Sequence, residues 1–175
     1  AGIDSSEDPD LHEVTADLPH AYFPDSVRAV EGLDAALSAT RSLRDPGALA
    51  VVETGEGSPG ARDGRASGPP SAGQGRATLE RWTPDEVTLR VEAERGGLLV
   101  VSEVWHPGWE ARLDGEPVPV LRADAALRGI RVPEGSHRIR FRYVSLPFRI
   151  GAGLSLATVL GALAALALRW RRREA

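Results

Sequence analysis

The chain has 175 residues, no cysteine and a formal net charge of −4, so it is long enough for a folded domain but can form neither disulfides nor a thiolate metal site. All 21 basic residues are arginines, and outside the clusters flanking the last apolar run they form no basic face for nucleic acid. Methionine is also absent, so Ala1 is expected to be a processed terminus or the start of a fragment.

Residues 1–17 are acidic and aperiodic and read as an irregular terminal segment. Residues 18–53 read as a small strand-helix-strand unit. LPHAYFPDSVRAV is extended, a short helix follows over 33–43 with Leu33, Ala36, Leu37 and Leu43 on one face, and Asp45, Pro46 and Gly47 stop it before the strand ALAVVE. Residues 54–76, rich in Gly, Pro and Ser, hold almost nothing to bury and read as a flexible linker or loop.

The segment 77–145 carries the strand signals. Val87, Leu89, Val91 and Ala93 alternate with Thr88, Arg90, Glu92 and Glu94, the period of a half-buried strand. The continuous apolar run 98–101 suits a central strand. Trp109, Ala111 and Leu113 share one face, Asp114 and Gly115 supply a two-residue hairpin turn, and Pro117 and Pro119 mark the return strand as an edge. Ile139, Phe141 and Tyr143 alternate with Arg138, Arg140 and Arg142 in a final strand. Six or seven short antiparallel strands predict a mainly β fold, an immunoglobulin-like antiparallel sandwich preceded by the small α/β segment.

Only Ser145 to Arg149 then separate the last strand from the run 150–168, IGAGLSLATVLGALAALAL, which holds nineteen residues without a charge. At 1.5 Å per residue such a helix is roughly 28 Å long, close to the hydrocarbon thickness of a bilayer, and the reading is one transmembrane helix. Gly151, Gly153, Gly161 and the alanines suit close packing against neighbouring helices. The basic tail 169–175, with Trp170 at interface depth, argues for a cytoplasmic end, although Arg138, Arg140, Arg142 and Arg149 on the other flank leave the charge bias small.

Among possible sites, Trp105, His106 and Trp109 surround a Pro-Gly turn and could form an aromatic platform for a sugar ring, with core packing as the competing role. Glu103 and Asp124 are the carboxylates to watch, against a background of solvated surface charge. His12, His20, His106 and His137 lack metal-ligand spacing, so no metal and no cofactor is expected. Gly115, Gly129 and Gly135 read as turn residues.

Phrase by phrase, 97–151 resembles the C-terminal region of YfhO-like bacterial membrane proteins, multi-spanning proteins grouped with the GT-C glycosyltransferases. Leu98 to Ser102, then His106, Pro107, Gly108 and Trp109, then Leu113, Asp114 and Gly115 resemble that family's strand, Pro-Gly-Trp turn and Asp-Gly hairpin. Leu127, Arg128 and Gly129, then 133–137, then Phe141, Arg142 and Tyr143 continue the order, and Leu18 to Tyr22 resembles a Leu-Pro-Arg-Ala-aromatic phrase with His20 in place of Arg.

The resemblance implies that 1–149 is extracytoplasmic and the tail cytoplasmic. It also implies a whole protein that moves sugar from a polyprenyl-phosphate-linked donor onto envelope glycan. The catalytic acid of GT-C enzymes sits in an early loop that has no counterpart here, so no catalytic residue carries over. This piece is then accessory, its implied partners the lipid bilayer, the other transmembrane helices, and the polyprenyl-phosphate-linked sugar or envelope glycan. The alternative is a single-span anchored sandwich that binds envelope glycan or a partner protein.

Overall fold

The computed structural model describes residues 19–43, 45, 47–55, 58 and 70–171, without the side chains of 146, 149, 162 and 164–171. The irregular segment expected at 1–17, most of the 54–76 linker and the end of the basic tail lie outside the described residues. The chain divides into two compact units, 1–142 and 143–175.

The first unit is built almost wholly of strands: β1 Ala21–Tyr22, β2 Ser26–Glu31, β3 Leu49–Thr54, β4 Gln74–Thr83, β5 Glu86–Arg95, β6 Gly97–Val104, β7 Trp109–Leu113, β8 Glu116–Val118, β9 Leu121–Ala123, β10 Leu127–Val132 and β11 Gly135–Tyr143. One sheet has the order β1-β6-β10-β9-β3-β2 and the other β4-β5-β11-β7-β8. The two sheets share a core. Val87, Leu89 and Val91 of β5 with Ile139 and Phe141 of β11 meet Leu99 and Val101 of β6 and Ile130 and Val132 of β10. Burying each such side chain contributes roughly 1.5–3 kcal/mol.

The strand patterns appear where the alternation places them. In β5 the apolar set is buried while Arg90, Glu92 and Glu94 stay exposed; Thr88, expected outward with them, is buried as well. Strand β6 lies inside its sheet and is apolar on both faces, with Leu99 and Val101 in the core between sheets and Leu98 and Val100 in a second cluster with Tyr22, Ala50, Val52, Leu121 and Ala123. Asp114 and Gly115, at φ 51 and 92, close the β7–β8 hairpin, and proline-bearing β8 is a sheet edge. The turn is tied to β11: Asp114 Oδ1 accepts from Arg138 N at 2.7 Å, and Oδ2 lies 2.7 Å from His137 Nδ1.

Four expectations are corrected. Residues 18–53 are not a unit apart: β1 pairs with β6 and β3 pairs with β9, so strands from both sides of the 54–76 segment share one sheet. The pairing partners are distant in the chain, and local pattern does not reveal them. The sandwich is also not wholly antiparallel, because β2 and β3 run parallel. Such a pair needs a crossover, supplied by the helix α1, Leu33–Arg41. On α1 only Ala36 is fully buried; Leu33 and Leu37 stay 41% and 38% exposed, and Leu43 falls past the helix end. Finally, Gly129 sits within β10, where an added Cβ would lie 3.1 Å from Leu98 Cδ1, so it serves close packing instead of a turn.

The second unit holds α2, Leu146–Arg171, with Thr158 Oγ1 donating to Leu154 O at 2.9 Å. Among the described residues no helix is long and apolar enough to cross a membrane. The expected transmembrane run 150–168 extends past Leu163, the last residue with a described side chain.

Candidate functional site

Alternation through β10 puts Arg128 on the same face as Ile130 and Val132, which belong to the core between the sheets. Arg128 is accordingly 1% exposed. Its guanidinium lies over Trp109, 3.9 Å from the ring centroid, and 5.2 Å from that of Phe141. Nη2 donates to Glu103 Oε2, while Nε and Nη1 find no hydrogen-bond partner among the described residues. Burial lowers its pKa to about 10, which leaves it charged at neutral pH.

Glu103, on β6, gathers three more elements. Its Oε1 accepts from Trp82 Nε1 of β4 at 2.6 Å. The same oxygen stands 3.1 Å from His20 Nε2, at ion-pair distance without hydrogen-bond alignment. Burial first, and the Arg128 charge second, push the His20 pKa below its ordinary 6.5, so at pH 7 the imidazole is neutral. Glu103 therefore holds a buried cation on one oxygen and an indole that is 59% exposed on the other.

Asp124 follows β9 in a turn where Asp124 and Ala125 have φ 48 and 58. Its Oδ1 accepts from Val51 N and its own N–H donates to Val51 O, both at 2.7 Å, pinning the turn to β3. Oδ2 is buried with no hydrogen-bond partner among the described residues, and burial raises the carboxyl pKa against the opposing Val51 N–H. Burial, then the charges of Asp124 and Asp45, raise the Tyr22 hydroxyl to about 12. Both watched carboxylates thus have structural partners.

Trp105 and Trp109 flank the β6–β7 loop and pack partly against the core. Each carries a guanidinium over a ring face: Arg122, itself bonded to Glu53 Oε2 at 2.9 Å, lies 4.2 Å from the Trp105 centroid, as Arg128 does over Trp109. Trp105 Nε1 donates to Val120 O at 3.3 Å. His106 is exposed, its Nδ1 accepting from Gly108 N at 3.1 Å. His106 and His137 lie toward opposite ends of β7. Among the described residues no three His, Cys, Asp or Glu side chains group to hold a metal.

An open cleft of about 580 Å³ lies between β1 and β4, bordered by His20, Phe23, Ala77, Thr78 and Leu79 among others. His20, Trp82 and Arg128 escape a reading of single residues. For Arg128 a signal was there, since its parity with Ile130 and Val132 puts it on the core face.

Fold and site together define a two-sheet β domain followed in the chain by an apolar helix, with a buried arginine-carboxylate pair at its centre. The family model described as bacterial membrane protein YfhO matches residues 72–155, so this part of the chain is similar to that family. The curated "Uncharacterized protein YfhO" of Bacillus subtilis (strain 168) is 24% identical over 85 residues, which cover 49% of this chain and 10% of that relative. No solved structure matches the chain.

Proposed function

We propose that the chain is the accessory, non-catalytic C-terminal part of a polytopic YfhO-type membrane protein that transfers sugar from a lipid-linked donor to envelope glycan. In this reading α2 spans the bilayer, 1–149 is extracytoplasmic and the arginine-rich tail is cytoplasmic. The observation that carries it is the helix itself: Ile150, Leu154, Leu156, Val159, Leu160 and Leu163 are all at least 54% exposed, and 150–163 carries no charged residue on any side. A helix apolar on every side belongs in an apolar medium. Residues 164–168 extend the uncharged run to nineteen, enough for a bilayer.

The accessory role is supported by the carboxylates. Glycosyl transfer needs a general base free to reach an acceptor, and Glu103 and Asp124 instead hold Arg128, Trp82 and the Val51 amide. An antibody against 77–144 tests the reading on source-cell membranes after carbonate extraction. A membrane-retained band several times the 18.6 kDa of this chain is expected; a band near that mass overturns the tail assignment. The chain alone in proteoliposomes should transfer no sugar from a polyprenyl-phosphate donor, and measurable transfer would refute the accessory role.

A further inference from the structure

The sandwich is unevenly closed at one border. Strand β4 edges one sheet with ten residues, while β1 edges the other with only two. Register places Ala77 opposite Val91, Leu79 opposite Leu89 and Trp82 opposite Val87. Those β5 partners belong to the core between the sheets, so Ala77, Leu79 and Trp82 share the inner face. An irregularity between Leu79 and Arg81 keeps Trp82 on that face, where strict alternation would have placed Arg81. Because β1 is short, the far part of this face is uncovered: Ala77 touches the core, whereas Leu79 and Trp82 are 43% and 59% exposed.

The cleft begins here. Its volume, about 580 Å³, falls in the usual range for small-molecule sites, and His20 adds a polar group to an apolar floor of Phe23, Ala77 and Leu79. Trp82 follows Leu79 along the same face. Its indole is fixed through Nε1 by Glu103, so an exposed aromatic is held in place instead of rotating freely. Glu103 is in turn fixed by Arg128, a buried cation of the sort that adds little net stability over an apolar residue. An ordered chain of groups therefore ends on an open indole face.

We propose that a pyranose ring binds where the β1–β4 cleft meets Trp82, stacked on that indole with its hydroxyls toward His20, which shares Glu103 Oε1 with it. A sugar fits the chemistry: one ring face carries C–H groups that pack on an aromatic, and its rim carries hydroxyls that need donors and acceptors in close reach. The Trp105 and Trp109 rings, each with a guanidinium over a face, leave that role to Trp82. The assignment rests on the glycan-related reading above and gives it a location.

Maltohexaose and chitohexaose are the probes, titrated by calorimetry into the full chain in detergent micelles. At least one should bind with a Kd of about 10 mM or tighter. Trp82→Ala should weaken that binding about tenfold or more, the worth of one stacked ring at about 1.4 kcal/mol, with an unchanged thermal midpoint. Trp82→Phe, which keeps an aromatic face, should stay within about threefold of the parent. No binding of either sugar, or equal binding by Trp82→Ala, overturns the proposal. A band near 18.6 kDa would refute the tail assignment without touching this result, so the two can fail separately.

Discussion

Replacing Glu103 by alanine removes the acceptor that Arg128 uses in the structure and leaves a guanidinium that is 1% exposed, with Nε and Nη1 already lacking hydrogen-bond partners among the described residues. Orphaning one member of a buried pair typically costs about 3–5 kcal/mol. The Glu103 side chain is 21% exposed, so water reaches the vacated site and the lower end applies, about 3 kcal/mol. For a unit of this size that lowers the thermal midpoint by roughly 10 °C. Arg128→Met instead removes the cation, places a thioether near Trp109 and Phe141, and leaves a carboxylate still bonded to Trp82, so its cost stays within about 1.5 kcal/mol. The double variant should then be no less stable than Arg128→Met alone. Urea unfolding of the full chain in micelles, followed by circular dichroism, measures all three. Strictly additive effects, or a Glu103→Ala loss below about 0.5 kcal/mol, would refute the linkage.

The Asp114–His137 contact predicts a pH window. The His137 pKa is raised above 6.5, chiefly by its bond to Asp114, so this stabilisation is complete below 6.5 and fades as pH rises through the folded value. The Asp114 pKa is lowered below 3.8, chiefly by the Arg138 N–H, so its share is present above 3.8 and lost as pH falls through the folded value. Asp114→Asn should therefore lose most stability near about pH 5 and less near about pH 8, read from urea midpoints at each pH. Asp124→Asn should keep the Val51 acceptor and tolerate φ 48 while removing a buried charge; with the parent carboxyl pKa raised, the variant should be the more stable at about pH 8 and lose that advantage below about pH 4 in thermal melts. Gly97→Ala would set a Cβ 2.2 Å from the Gly73 nitrogen, a backbone clash that should cost about 2 kcal/mol in the same urea assay.

What local pattern can carry, the chain displays openly. Alternation fixes the inward set of β5, the doubly apolar run gives β6 two buried faces, and Asp114-Gly115 closes its hairpin, because each depends on neighbours a few residues away. Partnership across long separations is another matter. Asp124 and Val51, bonded across 73 positions, bring β3 against β9, and nothing in ALAVVE declares that neighbour. Trp82 escaped for a related reason: its exposure depends on how far β1 extends in the opposite sheet. The paired fates of Glu103 and Asp124 likewise follow from tertiary contacts, although the parity of Arg128 with Ile130 already pointed a charge into the core.

The shared sheet has a consequence for synthesis. As the chain leaves the ribosome, β2, α1 and β3 emerge well before β9, the strand that joins them to the rest of the sheet, and β1 waits for β6. Strand β3 has no partner on its open side until roughly seventy further residues are made, and non-local pairing of this kind closes slowly. Val51 and Val52, fully buried in the finished fold, are meanwhile exposed to water, to chaperones and to neighbouring nascent chains. Translation pauses placed after β10 instead of after β3 would match the order in which this sheet can close.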